Sequence, residues 1–182
     1  MTTTQPITGD YTLDMSHSTI GFTARHAMVT KVRGKFDEVS GSGHFDVDDP
    51  SKSSVEVVIT AKSIDTGNAD RDNHLRSNDF LAMDEFPEIR FTSTSVSRNS
   101  DDHYAVTGDL TIKGVTKPVT IDFEHTGVAV DPFGNHRIGF EGHTTINRKD
   151  WGVNWNAPLE AGGVLVSEKV TFDLDISAIK AA

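Results

Sequence analysis

The chain has no cysteine, which rules out disulfides, thiolate metal sites and covalent haem attachment. Long apolar runs are missing too: no stretch approaches the roughly 20 residues a membrane-spanning helix needs. Basic residues are few beside acidic ones, 17 against 27, for a net charge of −10. On that balance nucleic acid and an anionic membrane surface are poor partners, and the charge reads first as a solubility device. The opening Met1–Pro6 has neither the basic region nor the apolar run of a secretory signal, so the expectation is a soluble, cytoplasmic protein without stable membrane insertion. No serine stands in a G-x-S-x-G context. Gly41-Ser42-Gly43 precedes a strand, where a phosphate loop would precede a helix. There is no fixed-period repeat, low-complexity tract or linker, so the 182 residues divide into a frayed tail over 1–9 and one domain over 10–182.

What is present is alternation. Tyr104, Val106, Leu110 and Ile112 keep period two, as do Val119, Ile121 and Phe123, and then Val170, Phe172, Leu174 and Ile176. Such strands bury one face and wet the other. Earlier in the chain a long strand over about Tyr11–Ala24 changes its apolar phase, from Tyr11 and Leu13 to Ile20 and Phe22, which predicts a bulge or bend with Gly21 nearby. Only Asn68–Arg76 reads as helix, with Asp72 and Arg76 spaced for an exposed pair and Arg71 or Arg76 placed to tie the helix to the sheet. Eight or nine strands with so little helix must close on themselves or stack as a sandwich. Gly34, Gly43, Gly108 and Gly142 fall on inward-phase positions. They mark either space for a cavity or bends at barrel corners, and the pattern alone leaves container and solid core open.

Many local strings, in order, resemble the YceI-like family. Tyr11-Thr12-Leu13-Asp14 with His17-Ser18 matches its opening strand, and Ser63-Ile64-Asp65-Thr66-Gly67, Arg71-Asp72 and His74-Leu75-Arg76 match its helical insertion. Phe86-Pro87-Glu88-Ile89-Arg90-Phe91, Gly108-Asp109-Leu110-Thr111-Ile112-Lys113-Gly114, Ile146-Asn147-Arg148 and Trp151-Gly152 follow, so the resemblance covers about Tyr11 to Ile179. It implies an all-β fold: an extended eight-stranded antiparallel β-barrel, lipocalin-like, with one short helical insertion. It also implies a lipid-binding interior for a polyisoprenoid or isoprenoid quinone, with no reaction and no cofactor, and a role in transport or storage.

If the alternating set faces inward, the ligand-binding lining starts with Phe22, Phe36, Phe45, Val57, Ile59 and Phe91. It continues through Val106, Leu110, Ile112, Ile121 and Phe123 to Phe140, Ile146, Val170 and Phe172. By phase His125, Arg148 and Glu168 also point inward, where they would pair with one another or meet a ligand head group; the alternative leaves them solvated at a rim. Trp151 and Trp155 belong to a segment, Arg148–Gly163, that reads as a flap over an opening or as a plug. Phe80, Leu81 and Phe86 are expected to close the opposite side. His17 and His26, with Asp14, are the metal suspects, but a separation of nine lies outside compact ligand spacings, and structural histidines without metal are expected. The rival readings are an isomerase or cyclase acting on such a lipid through His125 or His17, and a ligand-free, stress-related barrel with a filled core. Monomer and homodimer both remain open.

Overall fold

The computed structural model describes residues 7–160 and 163–181. Among them, eleven strands form eight walls, because three walls are broken in two. The broken walls are β1 (Gly9–Leu13) with β2 (Thr19–His26), β3 (Thr30–Phe36) with β4 (Val39–Phe45), and β5 (Ser54–Thr60) with β6 (Ile64–Asp65). The helix α1 (Ala69–Arg76) follows, and then come the unbroken strands β7 (Glu88–Ser100), β8 (His103–Ile112), β9 (Val115–Val130), β10 (His136–Asn147) and β11 (Lys169–Lys180). All neighbours are antiparallel, and the ring closes where β11 pairs with both halves of the first wall, Lys180 with Tyr11 and Phe172 with Phe22. The result is the eight-stranded closed barrel that the family resemblance implied, one of the two solutions that alternation left open.

Apolar side chains point in and hydroxyls point out. The threonine pairs Thr107–Thr120, Thr111–Thr116 and Thr145–Thr171 bridge neighbouring strands on the outer surface at 2.7–3.0 Å. That order is the inverse of what a membrane-spanning barrel presents to lipid. No helix among the described residues is long and apolar enough to cross a membrane.

The phase change in the first wall is a 3-10 turn over Met15–His17, capped by the Asp14 carboxylate on the Ser16 N–H; Gly21 sits in regular pairing within β2. Asp14 is also the anchor of a network at this end of the barrel. Arg137 on β10 donates to Asp14 at 2.7 Å and to Asp131 at 2.8 Å, and Asp131 in turn accepts from Asn135 and from the Phe133 N–H. Arg137, then Ser16 and His17, hold the Asp14 carboxyl well below the usual carboxylate range. Partial burial pushes Asp131 the other way, but donors from Asn135, Arg137 and Phe133 outweigh it and its carboxyl is also lowered. Carboxyls depressed in the folded state stabilise fully above their unfolded value near 3.9, and the benefit fades as pH falls below it toward the folded value. Arg137→Met is therefore expected to melt below wild type at pH 7, with the gap narrowing between pH 4 and pH 2. A gap that stays constant over that range in thermal scans would contradict the network.

The helix α1 has no apolar face and is held by hydrogen bonds. Arg76 donates to the carbonyls of Lys62 and Ile64, and Arg71 donates to the hydroxyl and carbonyl of Thr66. Asp72 does not reach Arg76 as its spacing suggested. It is buried, accepting the Thr66 N–H at 2.9 Å and the Thr66 hydroxyl, while Arg76 turns to Asn73. Of the expected tail, residues 1–6 lie outside the described residues. Ile7 and Thr8 are tied in, since the Ile7 carbonyl accepts from the Tyr11 hydroxyl and the Thr8 hydroxyl accepts from the Val47 N–H.

Candidate functional site

Container and core prove to be two halves of one barrel. The half toward the Gly9 end and the waist hold a cavity of about 220 Å³. Phe36, Phe45, Val57, Ile59, Phe91 and Val106 line it, with Leu110, Ile121, Phe123, Phe140 and Phe172, all of which alternation had placed inward. Tyr11, Ile20, Val55, Val96, Tyr104 and Ile138 belong to the same lining but were not among the sequence candidates, although most of them keep the same period. The polar members are Thr144 on β10 and a group on β4, β5 and the turn between them: Ser42, His44, Ser53 and Ser54. Ser42 and His44 are out of phase with the inward set, so no periodicity argument could find them.

The other half is solid. Ile112 and Ile146 are buried there, Val170 packs against them, and Phe22 lies 5.5 Å from Phe36; none of Phe22, Ile112, Ile146 and Val170 reaches the cavity. Trp151 is buried and donates its indole N–H to the Leu110 carbonyl at 2.9 Å. Phe80 packs on Trp155 with ring centroids 5.3 Å apart, and His74 joins both rings. Phe80 and Leu81 were expected to close the side opposite the tryptophans. Instead the two segments converge on the same end, where Phe86 also packs beneath the Lys113-Gly114 turn. The segment after β10 covers this end as a flap; its residues 161 and 162 lie outside the described ones.

Arg148 is the latch of that flap. It is 6% exposed, and its guanidinium donates to the carbonyls of Val153 (2.7 Å), Ser167 (2.9 Å) and Val166 (3.3 Å) over the face of Phe80. Burial pulls its pKa down, and the nearby Glu168 opposes this. Glu168 itself is on the surface, paired with Lys149 at 2.9 Å, which lowers its carboxyl. Neither residue projects into the cavity. β10 ends at Asn147 and β11 begins at Lys169, so the strand period does not extend to 148 or 168.

His125 is different. It lies opposite Phe140 at a β-bulge, its ring 5.3 Å from Phe140 and 6.0 Å from Phe45, directly behind the cavity lining. Its Nε2 is the one buried side-chain polar atom among the described residues with no hydrogen-bond partner. An orphaned buried polar atom is costly and needs an explanation. His17 and His26 sit at opposite ends of β2, roughly 25 Å apart at strand rise. His17 is bound to Asp14, and His26 bridges to Val166 in the flap.

Of the four inward-phase glycines, Gly34, Gly108 and Gly142 neither open the cavity nor simply mark a bend. A Cβ at Gly34 would strike the Phe22 ring at 2.3 Å, one at Gly142 the Phe123 ring at 2.5 Å, and one at Gly108 the Phe91 ring at 2.6 Å. Each seats an aromatic ring from the next strand. Gly41 and Gly43 on β4 do face the cavity.

A closed antiparallel barrel with an internal, almost wholly apolar cavity and a latched flap defines this protein as one of the lipocalin-like barrels. The chain belongs to the YceI-like family, whose domain matches residues 11–178. The UPF0312 protein SA2479 of Staphylococcus aureus (strain N315) is 41% identical over 165 residues, covering 90% of this chain and 94% of that one. Among solved structures, Burkholderia cenocepacia BcnA superposes with a TM-score of 0.80 at 21% identity, covering 91% of this chain and 98% of its own. A polyisoprenoid binding domain from Saccharophagus degradans, implicated in plant cell wall breakdown, superposes with a TM-score of 0.70 at 16% identity, covering 94% and 98%.

Proposed function

We propose that the barrel binds, and carries or stores, one long apolar lipid chain, an isoprenoid or isoprenoid quinone, without transforming it. The observation that carries this reading is the cavity lining, in which aromatic and branched aliphatic side chains from all eight walls face a shared void. Each buried methylene of a ligand contributes about 0.8 kcal/mol, so a few isoprene units offset the cost of association. The Saccharophagus degradans domain, polyisoprenoid-binding by its description, supports the reading at the level of fold. The cavity of about 220 Å³ is smaller than the ~300–1,000 Å³ of typical ligand pockets. Uptake of a long chain therefore pushes lining residues aside, among them the only partly buried rings of Phe140 and Phe172.

For the head group, His125 is the candidate. Arg148 and Glu168 have their partners already, whereas the free Nε2 of His125 can give or take one hydrogen bond according to tautomer. Of the two histidines a catalytic reading named, only His125 stands beside the cavity, since His17 is exposed and bound to Asp14.

Solvent extraction of natively purified protein, followed by mass spectrometry, tests the reading. A stoichiometric isoprenoid is the expected result; an empty extract together with failure to take up added polyprenyl lipid would sink it. His125→Leu is expected to raise stability by about 1–2 kcal/mol, because an unsatisfied polar atom is removed. The same variant should lose lipids with a polar head group preferentially over bare hydrocarbon. Unchanged head-group selectivity would remove His125 from the site.

A further inference from the structure

The β2–β3 hairpin breaks the rules of its own turn. Ala27 and Met28 both have positive φ, 52° and 64°, in a turn closed by the Val29 N–H on the His26 carbonyl at 3.0 Å. Glycine and asparagine supply such backbone cheaply, while alanine and methionine are strained there. The strained turn also shows apolar side chains to water: Met28 is 59% exposed and Val29 73%. It stands beside the flap, with the Ala27 N–H bound to the Leu165 carbonyl and Met28 adjacent to Gly163.

Charge around this tip departs from the acidic average of the chain. Arg25 and Lys31 face each other across the hairpin next to the turn, Arg33 pairs with Thr23 one step further down, and Lys169 lies at the neighbouring end of β11. All four border the same outer groove. Among the described residues none of these cations forms an ion pair; Arg25 reaches only the Val29 carbonyl. Acidic neighbours near the tip are Glu168, already paired with Lys149, and Glu160 in the flap. The remaining acids of the groove, Asp173, Asp175 and Glu141, lie opposite or beyond Gly21 and Thr19, roughly 20–30 Å down the strands from Met28.

We propose that this hairpin docks the protein on an anionic lipid bilayer, Met28 and Val29 entering the interface while Arg25, Lys31, Arg33 and Lys169 lie against phosphate head groups. An apolar tip ringed by cations is the arrangement that binds such interfaces reversibly. Net charge read over the whole sequence argued against an anionic surface; the distribution of charge reverses that locally. The other exposed apolar hairpin, with Phe133 89% exposed, offers no such ring of cations: its Arg137 is already held by Asp131 and Asp14, and Glu124 and Asp102 stand nearby on β9 and the turn before β8. Docking at the flap end brings the latch of the barrel to the membrane, but it does not depend on what the cavity holds.

Flotation with vesicles of phosphatidylcholine alone, or with one-third phosphatidylglycerol, tests this directly. Binding is expected to the anionic vesicles only, weakening as salt rises. Met28→Gly with Val29→Ser should lower it about tenfold or more while raising the melting temperature, since glycine relieves the turn. Lys31→Glu with Arg33→Glu should lower it similarly, and Phe133→Ser should leave it unchanged. No binding to anionic vesicles, equal binding to neutral ones, or full binding by the Met28/Val29 variant overturns the proposal, whatever lipid the extract of the purified protein contains.

Discussion

Replacing Arg148 with methionine is expected to lower stability by about 3–5 kcal/mol, a fall of roughly 6–20 °C in melting temperature for a domain of this size. The side chain's stem could be matched in volume, but the carbonyls of Val153 and Ser167 would lose the guanidinium's hydrogen bonds together, while that of Val166 would keep its bond from the Asn156 amide. A buried acceptor left without a partner costs about 1–3 kcal/mol. Lysine should rescue little: its single ammonium cannot reach three acceptors that a planar guanidinium spans, and it loses the stacking over Phe80. Because all three acceptors belong to the flap or its hinges, the damage should be local before it is global. Limited proteolysis of either variant is expected to cut first between Val153 and Ser167. A methionine variant that melts within a degree of wild type and resists cleavage would show that water can replace the guanidinium and that the flap has no latch.

How far the sequence was legible follows from what alternation can report. Period two identifies which residues share a face, so the inward phase of Phe91, Val106, Ile121 and Phe140 was readable without coordinates, whereas alternation left barrel and sandwich open and only the family resemblance implied closure. It carries no information about height along the barrel axis. Ile112 and Leu110 have the same phase and differ by one step, yet one packs in the solid half and the other touches the cavity. Phase also fails beyond a strand's end. Arg148 follows β10 and Glu168 precedes β11, and an argument that carried the period across those ends turned a latch and a surface ion pair into site residues.

Register was a second blind spot. Gly34 and Gly142 look like missing side chains until Phe22 and Phe123 are known to stand directly across from them. Only pairing reveals that a ring fills each space. The 3-10 turn at Met15–His17 escaped for a related reason: the phase change was visible, but Asp14 as its cap was one of several ways to produce it. The helix was easier because several of its restraints are short-range, with Asn68 capping the Arg71 N–H and Arg71 reaching Thr66 five residues back.

Gly41 offers the sharpest separation between a barrel that holds cargo and one that does not. It lines the cavity opposite Val57, and the atoms nearest to a Cβ built there are the Glu56 carbonyl and the Leu13 side chain, at 3.4–3.5 Å, which is contact without collision. Gly41→Val therefore places two methyl groups in the void and leaves the wall intact. The strand gains as much as about 1 kcal/mol from β-branching and reduced chain freedom, so the variant should melt at or above the wild-type temperature. Lipid recovered from it should nonetheless fall several-fold, since the added volume competes for the space the chain would occupy. Gly108→Ala is the contrasting substitution: its Cβ would lie 2.5 Å from the Thr92 carbonyl and 2.6 Å from the Phe91 ring, with a cost of about 1–3 kcal/mol. Stability and cargo thus move in opposite directions at one glycine, while at the other stability falls because a seat for a ring is lost. If Gly41→Val folds well and still carries a full complement of lipid, the ligand lies elsewhere and the cavity is a packing defect of an otherwise solid barrel.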